Sequence, residues 1–189
     1  MTDIVLCGVG GQGTVLASKL IAAAAMDKGL DVMSAETIGM AQKGGSVFSH
    51  LRVGKKVHTP MIAKGTADII IAFEPAEAVR MLPYLRKGGS VIVNSHAVKP
   101  VTSVLKDTGY DGSEMVGYLR ENVDNLTVID CEKACREIGS PKVTNMVLLG
   151  AAVRSGVLDF TMDEITETMK RMVKPQFQEA NVAALNYRG

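Results

Sequence analysis

The chain has 189 residues, 47% of them hydrophobic and 22% charged, with a formal net charge of +1. This length suits one domain with a full core, and the balance excludes a disordered or collagen-like chain. Near-neutrality, the absence of Trp and an aromatic content of only 4% exclude a basic nucleic-acid-binding field and a base-stacking platform.

In chain order, residues 4–9 predict a buried parallel strand, continuous, β-branched and closed by glycine. The turn Gly8-Val9-Gly10-Gly11-Gln12-Gly13 follows. Residues 12–28 predict a helix with Gly29 as its stop, and the alanines Ala22, Ala23, Ala24 and Ala25 imply close packing on a sheet. Residues 31–36 predict the second strand of a β-α-β unit. A glycine-rich loop, residues 39–45, comes where a doubly wound fold would place a helix. Alternation over residues 46–53 then predicts a half-exposed strand, Gly54-Lys55-Lys56 a turn, and residues 57–59 a short returning strand.

Residues 67–73 predict a strong buried strand. Glu74-Pro75 opens a helix reaching about residue 86, ended by Gly88-Gly89, with a strand over 90–94. A short helix is expected over 113–121, a strand over 126–130, and a helix over 132–138 stopped by Gly139 and Pro141. An apolar helix spans 144–154, with Gly150 allowing close approach. A helix over 161–172 carries a capping box of Thr161 and Glu164, and a last helix runs from Pro175 to about residue 187. The fold expected is α/β: a single three-layer domain over residues 1–189, with a mainly parallel Rossmann-like sheet flanked by helices. An antiparallel hairpin is inserted near 46–59 and the C-terminus is helical.

The three cysteines, Cys7, Cys131 and Cys135, form no C-x-x-C motif, so neither a disulfide framework nor a Cys-ligated cluster is expected. Cys131 and Cys135, four residues apart on an expected helix, read as reduced core or boundary thiols. The N-terminus lacks the regions of a signal peptide and there is no run of about 18 apolar residues, so a cytoplasmic protein is expected.

Gly8, Gly10 and Gly13 fit the G-x-G-x-x-G spacing between a strand and a helix, and Glu36 stands where a ribose-binding acid is found in dinucleotide enzymes. Such glycines let a ligand or another backbone approach exposed amides at a helix start, so a phosphate group and a partner protein are both open readings. The second loop, from Glu36 through Gln42, Lys43, Gly44, Gly45 and Ser46, is expected on the same side of the sheet, and its length and glycine density favour a functional role. The basic residues Lys43, His50, Arg52, Lys55, Lys56 and His58 read as a solvated strand face with a charged edge. His96, following a strand at its carboxyl end, is a lone candidate for the cleft. No Ser/His/Asp set, metal-ligand cluster or carboxylate pair emerges, which counts against a nicotinamide or flavin enzyme acting alone.

Taken together, Gly8-Val9-Gly10-Gly11-Gln12-Gly13 and Glu36-x-x-Gly39-Met40-x-Gln42-x-Gly44-Gly45-Ser46-Val47 resemble the gamma-type domain of the 2-oxoacid:ferredoxin oxidoreductases, in particular its indolepyruvate branch. Ser49-His50-Leu51-Arg52, Ala67-Asp68, Glu74-Pro75 and the helix from Asn145 to Gly150 extend the likeness over most of the chain; Lys43 stands where relatives often carry Arg. The resemblance implies a subunit of an enzyme that oxidatively decarboxylates an aryl 2-oxoacid with coenzyme A, giving acyl-CoA, CO2 and reduced ferredoxin. It places thiamine diphosphate and [4Fe-4S] clusters in a larger partner subunit. On this reading the chain has no catalytic or metal-ligating residue and is inactive alone. Its loop residues Gly8, Gly10, Gly11, Gln12 and Gly13, with Glu36, Gln42, Lys43, Gly44, Gly45 and Ser46, face coenzyme A or the partner; ferredoxin is met only indirectly, and a homodimer is open for the chain alone. The alternatives are a standalone nucleotide- or coenzyme A-binding module and a Rossmann-type NAD(P)- or flavin-dependent oxidoreductase.

Overall fold

The computed structural model describes residues 1–38, 44–98 and 109–188. The described elements are β1 (Thr2–Val9), α1 (Thr14–Asp27), β2 (Asp31–Ile38), β3 (Ser46–Gly54), β4 (Ala67–Ala72), α2 (Pro75–Met81), β5 (Leu85–Asn94), α3 (Ser113–Asn122), β6 (Asn125–Ile129), α4 (Cys131–Ile138), α5 (Thr144–Arg154), α6 (Met162–Met172) and α7 (Pro175–Leu185). The strands form one sheet in the order β2-β3-β1-β4-β5-β6. β1, β4, β5 and β6 pair in parallel, while β3 is antiparallel to both β1 and β2.

Alternation along the strands sorts side chains into two cores, as a parallel sheet covered on both faces requires. Ile4, Leu6, Ile69, Ile71 and Ile92 pack under α1, α4, α5, α6 and α7. Val5, Cys7, Ile70, Ala72, Val91 and Val93 pack under α2 and α3. The three-layer, mainly parallel architecture is therefore the one the sequence predicts.

The insertion differs in form from the expected hairpin. A single strand, β3, lies between β1 and β2, so the first β-α-β unit is split and its two parallel strands sit about 10 Å apart rather than side by side. The hairpin partner of β3 is β2, and residues 57–59 form no strand. Side chains hold that segment instead: Ile62 N–H donates to His50 Nδ1 at 3.1 Å, and Arg52 Nη1 donates to Thr59 O at 3.4 Å. His50 is consequently 1% exposed, where a solvated face was expected.

α2 stops at Met81 rather than near residue 86. Pro83, which cannot donate a helical hydrogen bond, falls in a 3-10 turn over Leu82–Tyr84. Gly88-Gly89 lies inside β5, where Ala67 pairs with Leu85 and Ile69 with Ser90, so the glycines occupy a bulge rather than a helix stop. The later helices begin and end on their expected local signals. Gly139 adopts a left-handed conformation after α4, and Thr161 and Glu164 complete a capping box at α6. Gly150 brings α5 against α7 so closely that an added Cβ would fall on the Leu185 carbonyl.

Candidate functional site

Gly8 and Val9 are still part of β1, opposite Val47 and Ser46 of β3. Gln12 folds back into the turn. Its Oε1 accepts the Val9 N–H at 2.7 Å and its Nε2 donates to Phe73 O at 3.0 Å. A Cβ on Gly8 would lie 2.7 Å from Gln12 Oε1 and 2.8 Å from Phe73 Cβ, so Gly8 is a packing glycine. Gly11, by contrast, is exposed with φ +102°, with no atom near its missing side chain. Gly13, at φ +87°, is the N-cap of α1. The six-residue motif thus divides: its first half closes the strand, Gln12 ties the turn together from inside, and Gly11 and Gly13 carry the chain past it into α1.

The two glycine loops meet through Gly10, whose N–H donates to Gly45 O at 2.9 Å. Gln42 and Lys43 lie outside the described residues. Glu36 is an exposed residue of β2 opposite Ser49, within the strand rather than in the loop, and β3 separates it from β1. A ribose-binding role above β1, as in a dinucleotide fold, is thereby ruled out geometrically. Ser46 Oγ donates to Glu77 Oε2 at 2.6 Å, and Glu77 also pairs with Arg80. Beside it, Glu74 accepts the Glu77 N–H at 3.0 Å and the Tyr110 hydroxyl at 2.5 Å. Both carboxylates are buried, and burial together with Glu74 pushes the Tyr110 hydroxyl pKa up. The start of α2 therefore anchors the end of the second glycine loop.

A cavity of about 670 Å³ opens at the carboxyl end of the sheet, bordered by Gly11, Gln12, Gly13, His96, Arg136, Lys142 and Asn145 among others. Its floor is a hydrogen-bonded set of loop ends. Phe73 O accepts from Gln12 Nε2 and from Asn94 Nδ2 at 3.2 Å, while Asn94 Oδ1 accepts from His96 N at 3.2 Å and Cys131 N at 3.3 Å. Three helices begin here: α1 after Gly13, α4 at Cys131 and α5 at Thr144. Helix starts carry partial positive charge and unpaired amides. Arg136 lies 3.8 Å from Glu132, which also sits 3.3 Å from His96 Nδ1, and Lys142 has no ion-pair partner among the described residues. The combination is suited to an anion.

Of the described loop residues singled out in the sequence, only Gly11, Gln12 and Gly13 reach this cavity; Glu36, Gly44, Gly45 and Ser46 do not line it. His96 does. Arg136, Lys142, Asn94 and Asn145 are not among the site residues expected from the sequence. The one available signal was Asn145, a polar amide in the first turn of an otherwise apolar helix. Among the described residues no group of three His, Cys, Asp or Glu is placed to hold a metal, and no helix is long and apolar enough to cross a membrane.

These features define an α/β chain that presents two linked glycine loops and an anion-suited cavity along one edge of its sheet. The chain belongs to the pyruvate ferredoxin/flavodoxin oxidoreductase family, whose model matches residues 3–187. It is 37% identical to indolepyruvate oxidoreductase subunit IorB of Archaeoglobus fulgidus, over 97% of this chain and 91% of that protein. It is 34% identical to the subunit of the same name from Pyrococcus horikoshii, over 97% of this chain and 92% of that one. The crystal structure of pyruvate oxidoreductase subunit PORC from Thermotoga maritima matches with a TM-score of 0.70 and 24% identity, covering 98% of this chain and 93% of that chain, a likeness of fold.

Proposed function

We propose that this chain is the smaller subunit of an indolepyruvate-type 2-oxoacid:ferredoxin oxidoreductase, acting as one domain in the cytoplasm and inactive without a larger partner. The observation that carries this is the 37% identity to an indolepyruvate oxidoreductase subunit over nearly the full length of both chains. In the complex, the larger subunit holds thiamine diphosphate and the [4Fe-4S] clusters, which supply the carbanion and electron-transfer chemistry. Ferredoxin is reduced by that subunit.

This chain's part is recognition. Gly11, Gly13, Asn145, Arg136 and Lys142 fit a phosphate-bearing group, and coenzyme A carries such groups; its diphosphate would rest against the starts of α1 and α5. The second loop, with Gln42, Lys43, Gly44, Gly45 and Ser46, faces the partner, as does the exposed Glu36 near the end of β2; the loop is held to the first loop by Gly10 and to α2 by Ser46.

The test is co-expression with the large thiamine- and iron–sulfur-binding subunit, followed by assay of ferredoxin reduction with indolepyruvate and coenzyme A. A stable complex that is active only when both chains are present is expected. An active, cofactor-free enzyme from this chain alone, or no association, overturns the proposal. Titration of the chain with coenzyme A and with NADH tests the ligand: heat with the first and none with the second is expected.

A further inference from the structure

We propose that Cys135 is a modification site, at which exchange with an anionic low-molecular-weight disulfide leaves an adduct in the mouth of the cavity between α1, α4 and α5 and shuts out its ligand. The shutting-out rests on the anion-binding reading of that cavity; the modification itself does not.

Access singles out this thiol. Cys7 and Cys131 are buried, at 0% and 1% exposure, and burial raises both thiol pKa values, which leaves them inert. Cys131 and Cys135 both border the cavity, but only Cys135 is half-buried rather than buried. Its Sγ lies 3.5 Å from Thr144 Oγ1, the first residue of α5, so the sulfur sits beside a helix start. Arg136 and Lys142 border the same space together with Glu132, which pairs with Arg136, while Lys142 has no ion-pair partner among the described residues, so two cations face one carboxylate. This positive surround draws an anionic reagent towards the sulfur.

A second, independent feature points to a guest with acceptor atoms. Asn145 is 5% exposed and borders the cavity, and its Oδ1 accepts its own neighbour's N–H from Met146 at 3.0 Å. Its Nδ2 has no hydrogen-bond partner among the described residues. The Nδ2 amide is not itself sealed from solvent, and a carboxylate or phosphate in the cavity would supply the acceptor it lacks. At about 670 Å³ the space is of ligand size.

In the exchange, Cys135 gives up its proton and its sulfur attacks one sulfur of the disulfide. The new S–S bond joins Cys135 to half of the reagent, the old S–S bond breaks, and the other half leaves as a thiolate that takes up the proton. Cys135 is oxidised, the departing thiol is the reduced product, and excess dithiothreitol reverses the step.

The experiment uses the full-length chain under native conditions, treated with glutathione disulfide or with its cationic counterpart cystamine, and read by intact mass and peptide mapping. One adduct at Cys135 is expected. Relative to a cysteine peptide, glutathione disulfide should react about tenfold or more faster than cystamine. That advantage should fade at high salt and in the Arg136→Glu, Lys142→Glu double variant. Modification at Cys7 or Cys131 instead, or no preference over cystamine, overturns the site. Coenzyme A is then titrated against unmodified chain, adducted chain and Cys135→Ser. Binding to the first and third and at least about tenfold weaker binding to the adduct is expected. Equal binding to the adduct overturns the shutting-out while the anion reading stands; no binding to any of the three overturns the anion reading and the shutting-out together, and leaves the modification site supported by its charge preference.

Discussion

The Gly10 N–H donates to the Gly45 carbonyl at 2.9 Å, so the turn after β1 and the turn before β3 are one hydrogen-bonded unit. A motif that resembles an isolated dinucleotide turn is thus half of a joined pair. The pairing continues directly from the β1–β3 ladder, where Val9 faces Ser46. Glycine serves two different purposes within this unit, and substitution separates them. Gly8→Ala pushes a methyl group into Gln12 and Phe73 and is expected to lower stability by about 1–3 kcal/mol, read as a fall in the urea midpoint. Gly11→Asp meets no atom, strains the backbone at φ +102°, and places a carboxylate at the cavity rim. It is expected to abolish coenzyme A binding while the chain stays folded by circular dichroism.

The cations at the cavity answer to a different measurement. Arg136→Ala combined with Lys142→Ala is expected to weaken coenzyme A binding by about tenfold or more, and to flatten the dependence of affinity on salt. Isothermal titration at low and high ionic strength checks this. Unchanged affinity would remove both side chains from the site.

Ser46→Ala deletes the hydroxyl that Glu77 accepts, leaving a buried carboxylate with one partner fewer. A loss of about 1.5–3 kcal/mol is expected in thermal or urea unfolding. Association with the larger subunit, followed by surface plasmon resonance, should weaken as well, because the end of the second loop loses its tie to α2. Full-strength association by a folded variant would detach this anchor from partner recognition.

His50 gives a pH signature. Burial holds its pKa below the ordinary 6.5, against the opposing pull of Asp3, and its Nδ1 must be unprotonated to accept the Ile62 N–H. The unfolded chain therefore binds a proton in a range where the folded chain does not. Stability contributed by the neutral ring is present above the ordinary value and is lost as pH falls from 6.5 towards the lower folded value. The difference in Tm between the wild-type chain and His50→Gln is expected to shrink as pH drops through that range. A difference independent of pH would mean that His50 does not titrate with folding.

Gly150→Ala tests the tightest helix contact. Its methyl group would meet the Leu185 carbonyl, which belongs to backbone and cannot turn aside. A loss of about 3 kcal/mol is expected, with α5 and α7 forced apart. Denaturant unfolding measures it.

Elements defined by local chemistry were legible in the chain. Thr161 and Glu164 mark the start of α6, Gly139 the end of α4, and Pro175 the start of α7, because caps and breakers act within a turn of their own position. Pro83 was the readable stop for α2, and the glycines beyond it drew the helix too far. What was not legible depends on distant partners. Alternation in β3 marks it as a strand but carries no statement of which strands it separates. Likewise, His50 counts as solvated until the segment reaching Ile62 is seen to cover it. The cavity shows the same limit: Gly11 and Gly13 announce themselves, whereas Lys142 and Asn145 acquire meaning only when α5 is docked beside α1.

The strand between β1 and β2 also constrains how the molecule comes into being. While the chain emerges from a ribosome, β1, α1 and β2 are complete before Ser46, yet β1 and β2 share no hydrogen bonds with each other. The edge formed by these strands can assemble only when residues 46–54 arrive to bond both. The nascent N-terminal segment must therefore wait with the facing edges of β1 and β2 unpaired, and β3, which carries on from the joined glycine loops, closes both of them at once.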